Sequence, residues 1–147
     1  MKKMFISGVV ISIMLGCFFF FSSPAFATED QAKAKAVAAF LAVRSQGYNA
    51  VDGSAGLLEP GQMFAKEMYL MAGKKYLFLA AGCNDAIDID IAIFNSSGNM
   101  VAADTDSDDL AVASFVPARS GNYKIVTILD KAIRGGAHVF FLACVPQ

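Results

Sequence analysis

The stretch IDIDIAIF, residues 87 to 94, alternates between isoleucine and short polar or small side chains. A helix would scatter these residues around its circumference. A strand instead sends Ile87, Ile89, Ile91 and Ile93 to one face and Asp88, Asp90 and Ala92 to the other. The expectation is a central strand with four isoleucines in the core, each contributing roughly 1.5 to 3 kcal/mol relative to exposure. Its aspartates would face water or a ligand.

Six further short apolar runs accompany it: MFAKEMYLM from Met63, KYLFLAAG from Lys75, NMVAAD from Asn99, AVASFV from Ala111, YKIVTIL from Tyr123 and AHVFFLACV from Ala137. Turn signals separate them at Gly73-Lys74, Asn95-Ser96-Ser97-Gly98, the acids between 104 and 109, Pro117 with Ser120-Gly121-Asn122, and Arg134-Gly135-Gly136. Short strands at regular spacing, without helices between them, predict an all-β antiparallel β-sandwich of jelly-roll type.

Ahead of these runs, Thr28 and Gln31 have the spacing of a capping box, and QAKAKAVAAFLAVRSQG is rich in helix formers. One α-helix is predicted near residues 29 to 46, closed by Gly47, with Val37, Phe40, Leu41 and Arg44 on one side. YNAVDGSAGLLEPGQ, residues 48 to 62, has the glycines and proline of a connector. The expected organisation is a signal peptide at 1–27, a helix and connector at 28–61, and the sandwich at 62–147.

Lys2 and Lys3 precede an apolar run from Met4 to Phe21, and Ala25-Phe26-Ala27 offers the small residues of a cleavage site. Export to the periplasm or the exterior is expected, with the cut after Ala27. Two other readings compete, a retained anchor and a lipoprotein in which Cys17 is acylated. The four phenylalanines after Cys17 stand where a lipoprotein carries a polar tether. Without Lys2 and Lys3, ten cationic side chains face thirteen acids, a net charge of −3. No Lys/Arg cluster suits nucleic acid, and no basic amphipathic helix suits a membrane surface.

Cys83 and Cys144 outlast processing. In an oxidising compartment a pair reads first as a disulfide, here worth about 4 kcal/mol in the chain-entropy model. Two separate buried thiols are the alternative.

The segments AGKKYLFLAAG, DIDIAIFNSSGNMVAAD and SFVPARSGNYKIVTI, in that order, resemble the bacterial pre-peptidase C-terminal domain family. Asp88 and Asp90 match its D-x-D strand, Gly98 its hairpin glycine, and Asp104 the aspartate after the next strand. Pro117, Ser120, Gly121 and Tyr123 match its late turn. The resemblance spans about residues 62 to 145. It implies a small secreted jelly-roll-like sandwich with a binding or stabilising role, sometimes with calcium, here expected to stand alone after a signal peptide.

Calcium is the sharpest chemical expectation. Asp104, Asp106 and Asp108 alternate as a hard cation's oxygen ligands would, and Asp88 or Asp90 could complete the set. The loop is not an EF-hand, because Asp109 stands where glycine is needed and Phe115 where the bidentate glutamate belongs. A solvated acidic turn is the plain alternative. Paired acids for glycoside hydrolysis would need one buried in a cleft. His138 is the only histidine, and no G-x-S-x-G elbow accompanies it. Two cysteines and one histidine far apart make a poor zinc site. Phe94 shares the face of Asp88 and Asp90, while Tyr48, Tyr69, Tyr76 and Tyr123 are scattered and tryptophan is absent.

Together these features point to a non-catalytic exported binding or accessory module that engages a protein or a cell-surface polymer. A structural or stress-related envelope protein is the alternative, and a metal-dependent hydrolase carries less weight.

Overall fold

The computed structural model describes residues 27–147; the candidate leader and Cys17 lie outside the described residues. One helix, α1 (Glu29–Arg44), precedes eight strands: β1 (Tyr48–Leu58), β2 (Met63–Leu70), β3 (Tyr76–Gly82), β4 (Ala86–Phe94), β5 (Met100–Asp104), β6 (Leu110–Phe115), β7 (Gly121–Ala132) and β8 (Ala137–Pro146). They form two antiparallel four-stranded sheets. Sheet A has the order β1-β8-β3-β6, and sheet B the order β2-β7-β4-β5. Only β4 and β5 are sequence neighbours within one sheet. The other connections cross between sheets, which is the jelly-roll arrangement.

All seven predicted runs are strands. The eighth, β1, occupies the stretch expected to be a connector, so the sandwich begins at Tyr48 rather than at residue 62. Glycine and alanine supply four of its eleven residues, yet it pairs with β8 along nearly its whole length, interrupted by one bulge between Ala50 and Asp52. Tertiary pairing outweighs its weak strand propensity.

The helix begins on the expected capping box: Thr28 Oγ1 accepts from the Gln31 amide, and the Gln31 side chain accepts from the Thr28 amide. Its docked face differs from expectation. Ala32 and Ala36 are fully buried, while Val37 is 40% and Leu41 55% exposed. Ala39, Phe40 and Val43 complete the contact with Leu77, Leu79, Leu142 and Cys144 on the outer side of sheet A. Small alanines let the helix lie close to the sheet. β3, covered by α1 on one side and sheet B on the other, is buried at every residue.

Between the sheets, Tyr76 stacks on Phe78 and Phe78 on Phe141, with centroids 6.3 and 6.1 Å apart. Ile89, Ile91 and Ile93 join this core as expected. Ile87 does not, being 45% exposed. Register shifts against β7 on both sides of Asp88 put Ile87 out of the ladder. The open edge between β1 and β2 is spanned by an ion pair between Asp52 and Lys66. Inward-pointing charges of this kind discourage edge-to-edge aggregation.

The expected Cys83–Cys144 disulfide does not form; both are free and buried. Cys83 lies in the core between the sheets, and Cys144 lies under the helix. The Cys83 amide donates to the His138 carbonyl, six residues from Cys144 along β8. That separation is about 20 Å, whereas a bridge needs Cα atoms within about 7 Å.

Candidate functional site

The two sheets differ in what covers their outer sides. Sheet A carries α1, whereas nothing among the described residues covers sheet B. Its outer side nevertheless contains two nearly buried apolar residues, Ala92 and Val126. The register explains them. Ala65, Val126, Ala92 and Ala103 form one row across β2, β7, β4 and β5, perpendicular to the strands. Four strands give this row a length of about 14 Å. Larger neighbours stand on either side of it.

A hollow of about 600 Å³, the groove of this sheet, runs along β7 and meets the row at Val126. Met63, Phe94, Val126 and Ile128 give it an apolar wall and floor, and Glu67, Asn95, Asn122 and Lys124 a polar rim. That size and mixture are within the range of small-molecule and chain-binding sites. Phe94 takes the expected side of β4, half-buried in the groove wall. Tyr69, directly opposite Asn122 and 66% exposed, extends the apolar surface along β2. Tyr48, Tyr76 and Tyr123 are instead buried.

A second hollow, about 470 Å³, continues from the groove around the end of the sandwich. The two share Asn95, Ser96, Asn122 and Tyr123. The loops that shape this end are tied down. Tyr123 Oη donates to the Arg119 carbonyl at 2.8 Å, Ser120 Oγ accepts from the Ala72 amide at 2.8 Å, and Gly73 N–H donates to the Pro117 carbonyl at 2.9 Å. Gly98 adopts φ 78°, which a side chain would strain, in the turn between β4 and β5.

Of the acids expected to hold calcium, Asp104, Asp106 and Asp108 lie at the opposite end and Asp88 near it, while Asp90 stands on the outer side of sheet B opposite Ile128. The loop does approach β4, since the Asp108 carbonyl accepts from the Ile89 amide at 2.9 Å. The carboxylates, however, have other partners. Asp104 accepts from the Asp106 amide at 3.2 Å and the Val112 amide at 2.6 Å. Asp88, only 4% exposed, accepts from Lys131 Nζ at 2.6 Å, and Asp109 pairs with Lys35. Asp106 and Asp108 point to solvent. Among the described residues, no three His, Cys, Asp or Glu side chains converge as a metal ion would require. Asp90, half-buried, has its pKa raised from 3.8 by desolvation and then by Asp88, Asp130 and Asp104, with Lys131 acting oppositely.

The groove's carboxylate, Glu67, is exposed. A general acid for glycoside hydrolysis would be buried. His138 is half-buried on β8 of the other sheet, opposite Leu57. The alanine row escaped sequence reasoning because it exists only through the register of four strands. Phe94 had a visible signal, by breaking the alternation of its run, and Gly98 and Tyr123 were marked by the turns they belong to.

No family model matches the chain, and no curated protein matches it. The periplasmic inhibitor of g-type lysozyme PliG from Aeromonas hydrophila is similar in structure, with TM-score 0.49 and 16% identity over 69% of this chain and 90% of that one. A CBM4 structure aligns with TM-score 0.43 and 19% identity over 69% of this chain and 79% of that one. No helix among the described residues is long and apolar enough to cross a membrane.

Proposed function

We propose that this protein is an exported, non-catalytic binding module that holds a cell-surface polymer in the groove on the outer side of sheet B. The observation carrying this reading is the asymmetry between the sheets. One outer side is covered over β3 and β8 by α1, and the other is left open, with a groove lined by Met63, Val126, Ile128 and Phe94. A groove that runs along β7, partly apolar and rimmed with amides and charges, suits an extended chain with both apolar and hydroxyl-bearing surfaces.

The resemblance to the pre-peptidase C-terminal domain family belongs to the same proposal. Supporting it are the jelly-roll strand order, the D-x-D pair on β4, the turn at Gly98, and Tyr123 bonded back to Arg119. The site of action would be the periplasm or the exterior, after cleavage of residues 1–27.

Co-sedimentation with an insoluble bacterial cell-wall fraction tests this reading. The wild-type protein should be retained in the pellet, and Val126→Arg or Met63→Glu should release it with circular dichroism still that of a folded protein and, for the exposed Met63, with Tm unchanged. Equal retention of the wild type and both variants would place binding elsewhere and refute the proposal.

A further inference from the structure

Charge is divided between the two ends of the sandwich. The loops joining β2 to β3, β4 to β5 and β6 to β7 contain Lys74, Lys75 and Arg119 and no Asp or Glu. The loops at the other end contain Glu59, Asp85, Asp106, Asp108 and Asp109, with Arg134 as their one cation. The cationic end is also the end where the second hollow lies, lined by Arg119 among amide and hydroxyl side chains. Lys124 stands at the junction with the groove.

None of these four cations forms an ion pair among the described residues, nor do Lys33 and Arg44 on α1, whereas Lys35, Lys66, Lys131 and Arg134 do. Even Lys124, directly opposite Glu67 on β2, is not within ion-pairing distance of it. Glu67 offsets Lys124 locally, whereas the acids of the far end do not reach Arg119, Lys74 and Lys75. A strand of β4's length separates the ends by about 30 Å, against a screening length of about 8 Å at physiological salt. A chain with a net charge of −3 thus presents a hollow whose one charged lining residue is Arg119, continuous with a groove in which Lys124 stands opposite Glu67.

We infer that the occupant is an acidic polysaccharide, a glycan chain with carboxylates along it. This rests on the groove reading above and adds the chemical class. Lys124 and Arg119 meet the carboxylates. Asn95, Asn122, Ser96 and Ser120 exchange hydrogen bonds with sugar hydroxyls. Phe94 and Val126 lie against the apolar faces of the rings. An acidic peptide would satisfy the cations but would not need this density of amides and hydroxyls along the two hollows.

The experiment uses protein purified after expression of its full sequence. Its binding to polygalacturonate is compared with binding to the same polymer after complete methyl esterification and to polyglutamate of similar length, each at low and high sodium chloride. Binding to polygalacturonate is expected, weakened by salt and reduced about tenfold in the double variant Arg119→Gln/Lys124→Gln. Lys33→Gln, on the exposed side of α1, should bind like wild type.

Equal binding of the esterified polymer would overturn the charge argument and leave the groove reading standing. Polyglutamate binding as tightly as polygalacturonate would overturn the assignment to a glycan. No binding to polygalacturonate, with retention on cell walls still abolished by Val126→Arg, would refute the acidic-glycan inference alone. Loss of both would refute the groove reading as well.

Discussion

Lys131 Nζ lies 2.6 Å from Asp88 Oδ2, joining an exposed cation on β7 to a carboxylate buried in the bulged start of β4. The pair explains how an aspartate can sit where the alternation of the run would leave it wet. The lysine carries its charge on a flexible stem from the surface, and its own pKa is raised by its hydrogen bonds to Asp88 and Asp130.

Removing Lys131 should therefore leave Asp88 buried and unpaired. Lys131→Met is expected to destabilise the protein in urea unfolding at pH 7. Adding Asp88→Asn should recover part of that loss, because the uncompensated charge goes with it. Additive losses in the double variant would show that the two residues are not coupled.

Asp90 is strained in the other direction. Because its folded pKa lies above the ordinary 3.8, the folded state holds the proton more tightly than the unfolded chain. Its contribution lowers stability as pH rises from 3.8 through the raised value, and the loss persists above it. Asp90→Asn should be more stable than wild type at pH 7, with the gap closing below 3.8. A gap independent of pH would remove charge as its cause.

The cysteines give a chemical check on the register of β8. Both thiols should alkylate in denaturant without prior reduction, and neither should react readily in the native protein. Burial pushes the Cys144 thiol up to about 11, which leaves little thiolate at neutral pH. A disulfide-linked peptide in a digest of non-reduced protein would contradict the separation of the two sites.

Helix docking separates two faces of α1. Ala36→Leu places extra atoms against sheet A and should cost roughly 1 to 3 kcal/mol. Leu41→Ala, on the exposed side, should change stability by about 0.5 kcal/mol or less. Gly82→Ala should behave like Ala36→Leu, because its new Cβ would lie 2.8 Å from Ile89 Cδ1 and closer still to Ala86. Denaturant midpoints for the three variants test this ranking.

The strands were legible where a run was both apolar and bounded by turns, as from Met63 to Leu70 and from Ala137 to Val145. β1 was not, because Gly53, Ser54, Ala55 and Gly56 carry no strand signal until β8 supplies the ladder. The helix was legible from its cap and propensity, but its docked face was not, since alanine marks both a good helix former and a close contact. Val37 and Leu41 drew attention by size alone. Ile87 and the cysteine pair failed for a shared reason. Bulges and register decide which residues meet, and neither is encoded in a single run. The groove is the extreme case, since Met63, Phe94, Val126 and Ile128 come from three strands and meet only through their register.

The central claim is that sheet B, not the helix-covered sheet A, faces the ligand. Amide hydrogen exchange with and without solubilised cell-surface polysaccharide addresses it most directly. Slowed exchange in β4, β7 and the loops at 95–99 and 116–120, with α1 unchanged, is the predicted result. Protection confined to α1, β1 or the acidic loop at 104–109 would contradict it.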